Sequence, residues 1–272
     1  MSDSRPIGIF DSGLGGLTVM KELVKVLPEE NIVYFGDTAR LPYGSKSRET
    51  IIRYSMEIVD FLVDQGVKMI VVACNTASSH ALEVLQEYSP VPVVGVIAPG
   101  ARCAAEATRN RRIGVLGTKG TIRSQSYQKA LLELLPDAEI IPVACPLFVS
   151  LVEENYLSYP ASRLIVEEHL NPLSESRVDT VLLGCTHYPM LSEMISDVLG
   201  KDVKIVDSGS SCSVSVAGLI NNLDIGNGDG IQGERRFFVS DDPEKFRILG
   251  QSFLGDPIPF VAQASACEIS SL

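Results

Sequence analysis

The sequence has no tryptophan, no CxxC pair, no excess of basic residues and no apolar run of membrane-spanning length, and each absence removes a class of function. Without a run approaching about 20 apolar residues, nothing is long enough to cross a bilayer as a helix. The opening MSDSRPIGIFDSG lacks the basic region and long apolar stretch of a secretory signal. A cytoplasmic protein with no membrane partner is therefore expected. Thirty-four acidic against 23 basic residues leave a net charge of −11. With no basic stripe and no interleaved aromatics, a nucleic-acid partner is not expected, because that binding rests on neutralising phosphates. An anionic ligand must be held by local donors, against the overall field. The six cysteines, at 74, 103, 145, 185, 212 and 267, are widely scattered. That spacing suits a reducing compartment and suggests neither a disulfide scaffold nor a structural zinc site.

What the chain does have is a regular alternation of short β-branched runs with stretches of helical period. Strands are predicted near 6–10, 31–36, 67–73, 91–97, 111–117, 138–144, 178–184 and 203–207, with helices between them, such as 47–65 and 122–135. Apolar strands flanked by helices imply an α/β fold with parallel sheets covered on both faces. "IGIFDSG" from Ile7 is echoed by "IGVLGTKG" from Ile113, and "IVVACNTA" is echoed by "VLLGCTHY". The nearly equal offsets predict two doubly wound units of like topology. Crossing points are expected at Pro99-Gly100 and at the DSGSS stretch 207–211. The last segment, with a strand at RRFFVS, a helix over 243–253 and a further strand at IPFVAQ, is expected to return to the first unit. The units so defined are 1–97 with 210–272, and 98–209.

In open parallel sheets, ligands bind beyond the carboxyl ends of the strands. Four segments with unusual polar content reach that edge: Asp11-Ser12-Gly13, Cys74-Asn75-Thr76, the run Thr118 to Thr121, and Cys185-Thr186-His187. Each precedes a helix, so free backbone N–H groups and the positive end of the helix dipole face the same region. A lone cysteine there reads equally well as a small buried hydrophobe. Two cysteines at the same point of a repeated unit, each followed by hydrogen-bonding residues, read as a pair. Opposed thiols suit inversion of a carbon centre: one removes a proton from one face while the other returns a proton to the opposite face. His187 is placed to assist the Cys185 thiolate, and Asp11 to orient a substrate amine or assist Cys74. His80 and His169, within helices, read as surface or packing residues, and Cys145, Cys103, Cys212 and Cys267 as structural. A dinucleotide fingerprint at DSGLGGLT fails because Thr18 stands where a third glycine belongs. A cysteine phosphatase loop fails for want of an arginine. A zinc site on Cys74, Cys185 and His187 stays open on spacing alone.

These residues carry a resemblance. "GIFDSGLGGLTV", "YFGDTARLPYGSKS", "VVACNTAS" and "LLGCTHYP" are similar to the motifs of glutamate racemases, within the cofactor-independent aspartate/glutamate racemase superfamily, across nearly the whole chain. The resemblance implies two α/β domains related by a pseudo-twofold axis, with the site in the cleft between them. It implies interconversion of L- and D-glutamate with no cofactor and no metal, feeding D-glutamate to peptidoglycan synthesis. By position, Cys74 and Cys185 resemble the two catalytic acid/bases. Asp11, Ser12, Asn75, Thr76, Thr186 and His187 resemble the residues that hold the α-amino and α-carboxylate groups. Tyr43 and Gly44 resemble the part that reaches the side-chain carboxylate, and Asp37 and Glu153 resemble groups that assist proton handling. Family members activated by a peptidoglycan precursor carry an N-terminal extension, and only six residues precede IGIFDSG here, an expectation against such control. A homodimer is a family-level expectation. Aspartate and hydantoin racemases and arylmalonate decarboxylases share the architecture, although the decarboxylases need only one cysteine. Aspartate racemisation therefore stays an alternative, as does a two-lobed protein that binds an amino acid without chemistry.

Overall fold

A computed structural model describes residues 2–228 and 230–265, and its strands sort into two all-parallel sheets. The chain opens with β1 (Ile7–Asp11), α1 (Leu17–Val26), β2 (Ile32–Gly36), α2 (Arg48–Asp64), β3 (Met69–Val72), α3 (Asn75–Tyr88) and β4 (Val93–Gly95). It then runs through α4 (Ile97–Ala107), β5 (Arg112–Gly117), α5 (Lys119–Ser124), α6 (Ser126–Leu134), β6 (Glu139–Ala144), α7 (Phe148–Glu153), α8 (Pro160–Glu175), β7 (Thr180–Gly184), α9 (Ser192–Leu199) and β8 (Lys204–Asp207). The last part is α10 (Ser208–Leu223), β9 (Arg235–Val239), α11 (Pro243–Leu254) and β10 (Ala262–Gln263).

The first sheet has the order β10-β9-β2-β1-β3-β4 and the second β6-β5-β7-β8. Four neighbouring strands of the first, β2-β1-β3-β4, thus repeat the order of the second, as the paired sequence echoes predicted. β9 docks in parallel on β2, Ile32 opposite Arg235, so the chain's last segment does complete the first sheet. Strand residues alternate between two cores, because successive side chains leave opposite faces. Phe10, Val33, Phe35, Ile70 and Val72 pack under α2 and α3. Ile7, Ile9, Tyr34 and Val71 face α1, in a larger core that continues into the second sheet through Ile113, Val115, Leu182 and Leu183. The two sheets share one continuous apolar interior, with α4 and α10 packed together between them.

Three expectations need adjustment. The run 91–97 contributes only Val93–Gly95 as strand, because Ile97 already begins α4. Pro99 then sits in that helix's first turn, where its missing N–H is harmless. The predicted helix 122–135 is two helices, α5 and α6, broken at Gln125 in the left-handed region (φ 57°). Of IPFVAQ, only Ala262–Gln263 pairs as strand. Cys267 lies outside the described residues. No described helix is long and apolar enough to cross a membrane.

Candidate active site

The carboxyl ends of β1 and β3 in one sheet, and of β5 and β7 in the other, deliver their loops to one buried seam. Cys74 follows β3 and caps α3, its sulfur accepting the Ala77 N–H at 3.4 Å. The thiol lies 3.7 Å from the Ser12 hydroxyl and is only 5% exposed. Burial, then the charges of Asp11 and Cys185, push its pKa up to about 12, against the Ala77 N–H and Ser12. Cys185 follows β7 at the matching point and is 6% exposed. Cys74 packs with the core under α2 and α3 and Cys185 with the larger one, and the Cys185 loop meets the β1 loop, whose Ser12 touches Cys74, where the Thr186 hydroxyl reaches Asp11.

Each sulfur has its own company. Cys185 Sγ is 3.9 Å from His187 Nδ1, and His187 Nε2 is 2.9 Å from Glu153 Oε1. Burial disfavours the His187 imidazolium, but its hydrogen bonds to Cys185 and Glu153, with their charges, outweigh that and carry the pKa up to about 10. Burial tends to raise the Glu153 carboxyl, and the hydrogen bond and charge of His187 bring it below its ordinary value. A ring edge from Phe253 on α11 closes the other side of the imidazole. On the Cys74 side, Asp11 is fully buried; burial raises its pKa, while His187, the Gly13 and Gly16 amides and Thr186 act the other way. Its carboxylate accepts the Gly13 N–H at 2.9 Å and the Thr186 hydroxyl at 3.3 Å.

The loops of the two sheets touch at several points. The Thr18 hydroxyl lies 2.9 Å from the carbonyls of Gly15 and of Thr186. Thr76 Oγ1 is 2.9 Å from Thr118 Oγ1 and 3.2 Å from Thr121 Oγ1. A Cβ on Gly44 would sit 2.7 Å from Thr118 Cβ, so the PYG turn also abuts the second unit. Tyr43 is buried, and its hydroxyl donates to Asp37. Asp37 also accepts Arg40 Nε at 2.7 Å and the Ser240 hydroxyl at 2.9 Å. Its carboxylate is thus occupied in fixing the turn that presents Tyr43 and Gly44.

Asp11, Ser12, Cys74, Asn75, Thr76, Cys185, Thr186 and His187 therefore converge, with Glu153 behind His187 and Asp37 behind Tyr43. Sequence reasoning had placed Thr118 and Thr121 at the sheet edge without assigning them to the site, and had given Thr18 no role at all. It had also set His80 aside, which is half-buried with Nε2 3.2 Å from the Gly120 carbonyl, across the seam. Cys145 and Cys212 are buried and Cys103 is exposed. Among the described residues, no three of His, Cys, Asp or Glu are gathered as a metal site.

The chain is similar to known proteins in sequence and in fold. Residues 7–212 match the family described as Asp/Glu/Hydantoin racemase. A glutamate racemase of Geobacter metallireducens is 50% identical over 261 residues, covering 96% of this chain and 97% of that one. The crystal structure of a glutamate racemase from Bacillus anthracis superposes with a TM-score of 0.92 at 39% identity, over 96% of this chain and 97% of the other. One from Francisella tularensis, in complex with D-glutamate, gives 0.91 at 39% identity, over 97% and 99%. By sequence over three quarters of its length and by fold over nearly all of it, the chain belongs to the Asp/Glu/hydantoin racemase family.

Proposed function

We infer that this chain is a glutamate racemase, an isomerase that moves the α-proton of glutamate from one face to the other with two cysteines and no cofactor. The observation that carries the reading is the equivalence of Cys74 and Cys185: each follows the matching strand of a repeated sheet, and the β1 loop touches both, through Ser12 at Cys74 and Asp11 at Thr186. The substrate lies between a unit of residues 1–97 with 210–272 and a unit of residues 98–209.

The chemistry follows from the surroundings of each sulfur. A thiolate on one side takes the α-proton, and the thiol on the other gives its own proton to the carbanion's opposite face. The C–H bond broken and the C–H bond formed balance, and the two sulfurs end with exchanged protonation. Asp11 receives the α-ammonium, which cancels the carboxylate charge that helps raise the Cys74 thiol. The Ala77 N–H and the Ser12 hydroxyl then support a thiolate on Cys74. On the other side, the His187 imidazolium held by Glu153 supplies the counter-charge when the proton is off Cys185. Asn75, Thr76 and Thr186 hold the head group, and Tyr43 and Gly44 lie toward the side-chain carboxylate, with Asp37 fixing Tyr43. Glutamate as substrate is supported by the relatives' names and by the D-glutamate in the Francisella tularensis structure. The product feeds peptidoglycan synthesis from the cytoplasm, and the family resemblance supports a homodimer.

Proton NMR in deuterium oxide tests this. L-glutamate should lose its α-proton signal without added cofactor, while L-aspartate keeps its own. Replacing Cys74 or Cys185 by alanine should stop racemisation, a loss of at least about 10²–10⁴-fold, the usual weight of an acid/base group. Full activity in either folded variant refutes the two-cysteine mechanism.

A further inference from the structure

Asn75 is the first residue of α3, beside Cys74, and is 2% exposed. The two ends of its amide are treated differently. Oδ1 accepts the Tyr127 hydroxyl at 2.6 Å and lies 3.4 Å from the Ser208 hydroxyl. Nδ2 is equally buried and has no hydrogen-bond partner within the chain. Buried polar groups are nearly always paired, so a donor left over at a ligand seam points to an acceptor from outside the protein.

Tyr127 is on α6 and completely buried. Its ring fills the space over Gly184, where a Cβ would lie 2.9 Å from Cε2, and touches the place of a Cβ on Gly100 of α4. Gly184 immediately precedes Cys185. One side chain therefore rests on the backbone beneath the second cysteine while its hydroxyl holds the side chain next to the first. Burial pushes the phenol well above its ordinary pKa, so the hydroxyl keeps its proton and stays a donor.

We propose that Tyr127 is a positioning residue for substrate: its hydroxyl locks the Asn75 amide with the oxygen toward α6, leaving Nδ2 to donate to the α-carboxylate of bound glutamate. The inference rests on reading the seam as a glutamate site. Without the Tyr127 hydroxyl only the longer Ser208 contact opposes the flipped amide, in which the oxygen meets the substrate carboxylate as a second acceptor. Because α6 belongs to one unit and α3 to the other, the lock forms only when the two are together, which ties the grip on the head group to closure of the seam.

The experiment measures kcat and KM for both enantiomers in Tyr127→Phe, Asn75→Ala, the double variant and Ser208→Ala, with thermal melts as the check on folding. Tyr127→Phe keeps the ring and removes only the hydroxyl. It should raise KM for L- and D-glutamate by about tenfold with kcat nearly unchanged, the signature of lost uniform binding. On top of Asn75→Ala, it should change KM less than about twofold, because its effect passes through that amide. Ser208→Ala, with Tyr127 intact, should stay within about threefold of wild type, as expected for the longer contact. A wild-type KM in Tyr127→Phe overturns the proposal, as does a tenfold effect that persists in the Asn75→Ala background. A larger effect from Ser208→Ala than from Tyr127→Phe also overturns it. If the wild-type chain exchanges no glutamate α-proton, the functional reading falls and this inference falls with it. Exchange by wild type with an unmoved Tyr127→Phe sinks the inference alone.

Discussion

Replacing Gly15 with alanine adds one methyl group at the point where the DSGLGG loop meets the Cys185 loop. Built on the existing backbone, that Cβ lies 2.2 Å from Thr186 Oγ1 and 2.5 and 2.6 Å from His187 Nδ1 and Cε1. Heavy atoms sit comfortably at about 3.5–4.0 Å, so the misfit is about 1 Å or more. Gly15 is not among the glycines with positive φ, so alanine suits its backbone. The nearest atoms it meets all belong to the other unit. The first sheet therefore folds as before, and the strain falls on the closed seam alone. Overpacking of this kind costs about 1–3 kcal/mol, and at 1.4 kcal/mol per factor of ten that lowers the ratio of closed to open seam about 5–150-fold. Should the loop give way instead, His187 turns from Cys185 and Glu153, with a loss in the same direction. The assay is kcat/KM for glutamate racemisation by polarimetry, beside a thermal melt. The expected result is a drop of about 5–150-fold in kcat/KM with little change in melting. A Gly15→Ala enzyme with wild-type kcat/KM would falsify the contact between these loops as a condition for catalysis.

Three further outcomes follow from other contacts. Glu153→Gln removes the carboxylate that holds His187 protonated and should lower stability near neutral pH by about 1–3 kcal/mol. His187's folded pKa of about 10 exceeds its unfolded value of about 6.5, so its contribution is complete below the lower value and is lost as pH rises through the upper one. Urea denaturation at several pH values should show wild type and variant converging on the alkaline side. An unchanging gap there refutes the assignment. Lys68 and Glu30 form an ion pair at 2.5 Å with exposures of 0% and 3%, at the amino-terminal edge away from the seam. Lys68→Met should lower the unfolding free energy by about 3–5 kcal/mol with kcat unchanged, and adding Glu30→Gln should recover only part of it, because Lys68 Nζ also donates to the carbonyls of Asp3 and Ile225. Gly218, inside α10, has open space where a Cβ would go. Gly218→Ala should raise stability by about 0.5–1 kcal/mol and leave kcat/KM alone, which makes it the control for Gly15→Ala.

Much of this was legible along the chain. Cys74 and Cys185 announced themselves because each ends an apolar run, precedes a polar cap and sits in an echoed motif. The polar ends of β1, β3, β5 and β7 could be read the same way, since strand periodicity and helix capping involve neighbours in sequence. The short run 91–97 misled because four to seven β-branched residues look alike in a strand and at the start of a buried helix. The break at Gln125 gave no warning, glutamine being an ordinary helix former whose left-handed backbone is imposed by packing.

The sequence by itself determined that two similar α/β units exist, where most of their strands lie, and that two thiols stand beyond matching strands. Only the tertiary structure decided which side chains surround them. Thr186 reaches Asp11 across 175 residues, Tyr127 reaches Asn75 across 52 and Thr118 reaches Thr76 across 42. The Glu30–Lys68 pair is likewise invisible in the sequence, where both read as ordinary surface charges. The physical reason is the range of the forces that fix each feature. Periodicity, caps and turn chemistry act within a few residues, so the chain displays them locally. Hydroxyl contacts and the orientation of an amide are settled only when two sheets close on a shared core, and no residue carries that arrangement alone.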